Sequence, residues 1–189
     1  RVMEGVPNNI YKYEIDWENG KAVARRQWDK NGTELDTNGG LLNPIKPNNI
    51  PENAIWNRRN QEWEMTSYNK IGEPINSHKY WRANGSLFEE IKYVDGLKNE
   101  VRKYHPSGNL ANEVLYQEGA LLIESRTMID EENSDIEFPK GNLPEGVIKK
   151  TYTFDPHGFM TGWKGYNQEN ELIIDEQLNL NMNGSLVQT

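Results

Sequence analysis

The chain has 189 residues, a formal net charge of −8 and no cysteine. That length allows one or two domains. The acidic balance argues against nucleic acid or an anionic membrane as partner, since both reward clustered Lys and Arg, and the lack of thiols excludes disulfides, thiol catalysis and cysteine-based zinc sites. Mean hydropathy is −0.90, very polar for a packed globule, yet six Trp and nine Tyr argue against disorder. Together these features predict a thin β architecture with much solvated surface. No apolar run reaches the ~18 residues of a membrane-spanning helix. The first residue is Arg1, which reads as a mature form or a fragment. The compartment stays open, with an extracytoplasmic location favoured over a cytoplasmic one.

Residues 1–9 read as an entry segment. From Ile10 to Leu35 two turn motifs follow: Trp17-Glu18-Asn19-Gly20, then Trp28-Asp29-Lys30-Asn31-Gly32. Asn-Gly between strand-like runs is a strong hairpin signal, because a two-residue loop needs positive φ. The stretch 36–54 breaks the pattern with Gly39-Gly40, Pro44, Pro47 and Pro51, and reads as a long loop or connector. Strand-like alternation resumes over 55–68 with Trp56 and Trp63, and leads into Tyr68-Asn69-Lys70-Ile71-Gly72.

Residues 80–119 hold the clearest signal. Trp81-Arg82-Ala83-Asn84-Gly85-Ser86-Leu87 aligns with Tyr104-His105-Pro106-Ser107-Gly108-Asn109-Leu110, 23 residues later. Glu90, Ile91, Tyr93 and Asp95-Gly96 align with Glu113, Val114, Tyr116 and Glu118-Gly119. A fixed period marks a repeat architecture. Each unit reads as an aromatic strand end, a turn with glycine four residues on, and a new strand. In that strand Leu87, Ile91 and Tyr93 share one face and Phe88, Glu90 and Lys92 the other.

One more strand follows over 121–128. The stretch 129–146 interrupts again, acidic from Asp130 to Glu137 and then rich in Pro and Gly. The pattern returns at Phe154-Asp155-Pro156-His157-Gly158 and at Tyr166-Asn167-Gln168-Glu169-Asn170, where Asn stands for Gly. Leu178, Leu180 and Met182 alternate in the tail and predict a last strand and turn.

The expected fold is all-β. An elongated, twisted antiparallel meander of about a dozen strands follows from short strands and tight turns. It forms a single repeat domain over 1–189, with repeat segments 10–35, 55–128 and 147–174 and loops 36–54 and 129–146. Stability is expected to spread over neighbouring repeats.

The unit of aromatic, three turn residues, Gly, one residue and Leu, then Glu, Tyr and Asp-Gly, resembles the bacterial variant of the MORN repeat. It is most similar to the YwqK-type antitoxin components. The resemblance covers 80–119 clearly and 10–35, 68–75 and 152–172 less closely; it departs at Ile75, one place late after Gly72, and at Asn170. It implies an elongated curved sheet with a binding or scaffolding role, and no catalytic residues.

The repeat aromatics Trp17, Trp28, Tyr68, Trp81, Tyr93, Tyr104, Tyr116, Phe154 and Tyr166 read first as the thin core. Of these, Trp81, Tyr93, Tyr104 and Tyr116 are the candidate partner-binding residues, since aromatics are enriched at binding hot spots. Glu90 and Glu113 recur at one repeat position and read as rungs of a cross-strand ion-pair ladder with Lys92, Arg102 or Lys103. His78, His105 and His157 share no metal spacing, and the two in turns read as polar turn residues. The acidic run lacks the offsets of a calcium loop. Asn31-Gly32-Thr33, Asn84-Gly85-Ser86 and Asn183-Gly184-Ser185 match glycosylation sequons but read as turns. Phe154 to Tyr166, with Trp163, is similar to a choline- or cell-wall-binding repeat in which aromatics cage a cation.

The functional expectation is a non-enzymatic protein that presents its sheet to a protein partner, as an antitoxin, immunity factor or scaffold, without cofactor or metal. The alternative is an envelope module that binds carbohydrate or cell wall. An open sheet edge also makes a homodimer plausible. A hydrolase with its site in either loop ranks last.

Overall fold

The computed structural model describes residues 9–118, 122–131, 144–180 and 186–187. Among the described residues the chain is all-β, with fifteen strands and no helix. It divides into two compact units, Arg1–Glu64 with Trp81–Gly85, and Met65–Tyr80 with Ser86–Thr189.

In the first unit, β1 (Lys12–Glu18), β2 (Lys21–Trp28) and β3 (Glu34–Leu35) form an antiparallel sheet in chain order. β4 (Ile55–Asn57) pairs with β5 (Glu62–Met65). The connector between the two pairs is organised by its own side chains. Lys46 Nζ donates to the carbonyl oxygens of Glu52 (2.7 Å) and Ala54 and lies 5.2 Å from the centre of the Trp63 ring. Asn49 Nδ2 donates to Gly85 O at 2.8 Å. Leu35, Ile50, Ala54 and Trp63 are buried in this unit.

The second unit is the repeat meander. β6 (Ser77–Arg82) enters it, and β7 (Leu87–Val94), β8 (Leu97–Tyr104), β9 (Leu110–Tyr116), β10 (Ile123–Ile129), β11 (Lys149–Phe154), β12 (Met160–Tyr166) and β13 (Leu172–Gln177) follow. Each is hydrogen-bonded to its neighbour in sequence. β14 (Asn179–Leu180) pairs with β15 (Leu186–Val187). The acidic run beyond Glu131, Gly119 and the Asn183-Gly184 turn lie outside the described residues.

Two turn types build both units. The first is a two-residue hairpin: Asn19 and Gly20 have φ of 50° and 75°, Asp95 and Gly96 of 49° and 78°. Two successive left-handed residues are what a type I′ turn requires, and Asn, Asp and Gly adopt that conformation at least cost. The second is a five-residue loop in which the first N–H donates to the fifth carbonyl and the fourth N–H to the first. It recurs at 29–33, 36–40, 69–73, 105–109, 155–159 and 167–171. The fourth residue has positive φ every time, 80° at Gly32, 93° at Gly108 and 61° at Asn170 among them. Asn therefore replaces Gly at 170 without changing the turn, since Asn tolerates the left-handed region.

The first residue of the loop supplies a cap. Asp29 Oδ1 accepts the N–H groups of Asn31 and Thr33, both at 2.8 Å. Asp36, Asn69 and Asp155 do the same in their loops, and Asn167 accepts the N–H of Glu171. This local side-chain pairing is why Asp and Asn favour turns over strands. One capped loop, Asp36–Gly40, lies inside the stretch 36–54 where the aromatic-to-glycine pattern breaks. Its strand ends on Leu35 in place of an aromatic, and Leu35 bridges Leu41 across the loop.

Six of the nine repeat aromatics also mark a β-bulge. The register slips by one residue beside Trp17, Tyr93, Tyr104, Tyr116, Phe154 and Tyr166. A bulge adds an unpaired residue and increases local right-handed twist, so the repeat places a twist at the same point of each of these hairpins.

Register assigns the two faces of the meander. Ile91, Val101 and Val114 lie side by side and make its apolar core, with Tyr80, Tyr93, Tyr116 and Ile123 packed against them. Burying a Val or Ile contributes roughly 1.5–3 kcal/mol. That row continues through Arg126, Tyr152, Trp163 and Glu176. The opposite face carries Glu90, Arg102, Glu113, Thr127, Thr151, Lys164 and Asp175 in one row.

Candidate functional site

The four aromatics singled out from the repeat do not form one surface. Trp81 is buried and belongs to the first unit. Tyr93 and Tyr116 are half-buried against the apolar row. Burial raises the Tyr93 hydroxyl pKa above its ordinary value, with Tyr68, Glu89 and Tyr116 adding to the shift. Tyr104 lies two residues beyond Arg102 on β8, and so on the ion-pair face.

That ion-pair face is closely knit. Arg102 Nε donates to Glu113 Oε1 at 2.9 Å, and the same guanidinium pairs with Glu100. Lys92 Nζ reaches Glu100 at 2.6 Å and Lys79 reaches Glu90 at 3.3 Å, whereas Lys103 and Glu89, 3.5 Å apart, pair in the register of the apolar face. Glu100 is only 7% exposed; with two cations on it, its charge is compensated in place. The hydrogen bond from Arg102 to Glu113 holds the guanidinium pKa up, assisted by the charge of Glu100. Glu90 and Glu113 each have a cation partner, and Arg102 stands between them in the register. The Glu113–Arg102 rung is as expected, whereas the partner of Glu90 is Lys79 and not Lys92, Arg102 or Lys103.

Two of the three histidines serve packing. His78 Nε2 lies 2.8 Å from Ser67 O, and its ring sits between those of Tyr68 and Tyr93. His105 is 1% exposed and its Nε2 lies 3.0 Å from Ile129 O. His105 does open the 105–109 turn, as read, but its ring turns inward, where the end of β10 offers it a carbonyl. His157 is exposed, as a turn residue should be. Among the described residues no group of His, Asp and Glu is placed to hold a metal.

Trp163 has a cation of its own. Lys150 Nζ lies 3.7 Å from the Trp163 ring centre and 5.0 Å from that of Tyr152. Trp163 Nε1 donates to Glu176 Oε2 at 2.7 Å. An internal ammonium thus takes the ring face that a cation-caging repeat would offer to a ligand. Burial lowers the Lys150 pKa and outweighs the charge of Glu176.

The exposed aromatic surface lies on β1. Residues 11 to 18 read Tyr-Lys-Tyr-Glu-Ile-Asp-Trp-Glu, a strict apolar–polar alternation. This normally marks a strand with one buried face. Here the apolar face is open: Tyr11 is 78% exposed, Trp17 65% and Tyr13 38%, with Ile15 half-buried between them. Arg25 from β2 lies 5.5 Å from the Tyr13 ring. On the polar face Lys12 pairs with Glu14 at 2.8 Å, and Arg26 approaches Glu14 at 3.4 Å and Asp16 at 4.0 Å. Tyr11 and Tyr13 escape a reading based on the aromatic-to-glycine motif, because neither precedes a turn. The alternation of residues 11–18 is the signal that would have found them.

An open cleft of about 470 Å³ adjoins this surface, lined by Asn9, Ile10, Tyr11, Asp29, Lys30 and Asn31. Trp28 stands beside it, with Lys12 4.8 Å from its ring centre. The Asp29 carboxyl is held below its usual range, first by the backbone N–H of Thr33. No protein-family model matches the chain, and no curated protein matches it.

Proposed function

We propose that this chain is a non-enzymatic repeat protein that binds another protein through the exposed face of the β1–β2 hairpin. The observation that carries this reading is the open apolar face of Tyr11, Tyr13, Ile15 and Trp17 on a strand whose alternation belongs to a covered one. Contiguous exposed aromatics mark interaction sites, and Trp and Tyr dominate binding hot spots. Arg25 flanks the face, opposite Ile15 and 5.5 Å from the Tyr13 ring, and suits an acidic or mixed rim on the partner. The resemblance of the repeat to the bacterial MORN variant supports a binding or scaffolding role, and an antitoxin or immunity function is one form of it.

A second reading, binding of carbohydrate or cell wall, is favoured by the cleft beside the 29–33 turn. It joins Tyr11 to Asp29 and Asn31, the pairing of aromatic ring and polar side chain that a sugar face and its hydroxyls require. The test is capture from a lysate of the source cells, with a Tyr13→Ser, Trp17→Glu double variant beside the wild type and a glycan array in parallel. A stoichiometric protein held only by the wild type is the expected result. Equal capture by both proteins would refute the β1 face, and a glycan signal abolished by Asp29→Ala would favour the second reading.

A further inference from the structure

We infer that β1 is a self-pairing edge, through which two copies of this chain join antiparallel about a two-fold axis at Glu14. This rests on the protein-binding reading of the β1 face and names its partner, a second copy. Among the described residues β1 is the outer strand of its three-stranded sheet, and an edge strand presents a row of ladder groups to a further strand. Edge strands are commonly protected by bulges or unpaired charges. The bulge between β1 and β2 places its extra residue, Val23, on β2, so β1 keeps regular spacing. Of the charges of β1, Lys12, Glu14 and Asp16 are paired within the hairpin, Lys12 with Glu14 and both carboxylates with Arg26.

The sequence of β1 is complementary to itself in this register. Tyr11 meets Trp17 of the second copy and Tyr13 meets Ile15, each pair twice. On the other face Lys12 meets Asp16 twice. The two Glu14 carboxylates meet at the axis, each already held by its own Lys12 and Arg26. A shift of one residue would set Tyr13 against a charged side chain and reverse every face. A shift of two toward the C-terminus would set Lys12 against Glu18 and Tyr13 against Trp17, but bring Glu14 against Asp16 twice and leave Tyr11 against the Asn19 turn. A shift of two the other way would set Lys12 against Glu14 but bring Tyr13 against its own copy and leave Trp17 without a partner. Aromatic and opposite-charge cross-strand pairs are the units that stabilise such a ladder.

The test is sedimentation of the full chain over a wide concentration range. The mass is expected to rise from 21.9 kDa to twice that for the wild type. It should stay at the monomer value for Trp17→Glu and, as a second variant, Tyr11→Ser, both at exposed positions where circular dichroism should be unchanged. The chain has no cysteine, so register is read directly. A mixture of Tyr13→Cys and Ile15→Cys should crosslink on oxidation, and either variant alone should not. A wild type that is monomeric at every concentration overturns self-pairing, as does a dimer that survives both substitutions or crosslinks equally in the single variants. If the wild type is monomeric but captures a different protein that Trp17→Glu loses, only self-pairing fails and the β1 face stands. If it is monomeric and captures nothing, both fail.

Discussion

His105 Nε2 lies 3.0 Å from the carbonyl oxygen of Ile129, a bond across 24 residues that ties the 105–109 turn to the end of β10. The other capped loops begin with Asp or Asn, whose side chains stay within the loop. His105 reaches outward instead, and Ser107 Oγ accepts the N–H of Asn109 at 3.2 Å in place of a cap. Removal of the imidazole leaves a part-buried carbonyl without this partner. His105→Ala is expected to lower unfolding free energy by about 1–3 kcal/mol, whereas His157→Ala at an exposed turn should stay within roughly 0.5 kcal/mol of wild type. Urea titration of the two variants checks this, and equal effects would contradict the structural role of His105.

The same contrast explains how much of the fold was legible. Asn19-Gly20 and Asp95-Gly96 predicted their hairpins because only a few residue types accept two left-handed conformations in succession. Leu87, Ile91 and Tyr93 were grouped correctly because a strand alternates with period two. Faces could not be carried from one strand to the next, since six of the nine repeat aromatics mark a bulge that shifts the register by one. Tyr93 and Tyr104 were both singled out as strand-ending aromatics and lie on opposite faces. The Asp36–Gly40 loop stayed hidden because Leu35 occupies the aromatic position, although Asp36 and Gly39 carry the cap and the turn. The inward turn of His105 depends on a long-range carbonyl that no local pattern reveals.

Three glycines with the same left-handed backbone should respond differently to alanine. A left-handed Cβ costs roughly 1–2 kcal/mol by itself, and Gly108 has nothing within 4 Å of where that Cβ would be. At Gly158 it would meet Leu122 Cδ2 at 3.2 Å, and at Gly85 it would lie 2.5 Å from Asn49 Oδ1 and 2.9 Å from Pro47 Cβ. The expected order of destabilisation is Gly85→Ala, then Gly158→Ala, then Gly108→Ala, read as melting temperatures. A Gly85→Ala protein as stable as Gly108→Ala would contradict the packing of Asn49 on that turn.

Asp29 links the first capped loop to acid stability. Its carboxyl pKa is lowered from 3.8 chiefly by the backbone N–H of Thr33, with Asn31 assisting. A carboxyl lowered in the folded state contributes stability that is present above its unfolded pKa and lost as pH falls through the folded value. Asp29→Asn keeps an acceptor oxygen for both N–H groups but does not titrate. Its unfolding profile below pH 3.8 should be flatter than that of the wild type, while Asp29→Ala should lose the cap at every pH. Carboxyl carbon shifts of Asp29 followed by NMR provide the direct check, and a midpoint at or above 3.8 would refute it.

At alkaline pH, Lys150 and the half-buried tyrosines act in opposite directions. Burial raises the pKa of Tyr152, against a smaller lowering by Arg126, and burial also raises that of Tyr93. Each contributes stability that is complete below pH 10 and is lost as pH rises through the folded pKa. Burial lowers the pKa of Lys150 from 10.5. In the interval between its folded value and 10.5 the unfolded chain binds more protons, so stability rises with pH. Lys150 thus offsets part of the tyrosine loss in the same interval. Lys150→Met preserves the apolar stem over Trp163 and removes the titration, so its stability should fall more steeply than that of the wild type as pH is raised toward 10.5. Denaturant midpoints across this range, read beside tyrosinate absorbance, test the balance. Parallel curves for the two proteins would show that the Lys150 ammonium is not held in the burial that the 3.7 Å contact with Trp163 implies.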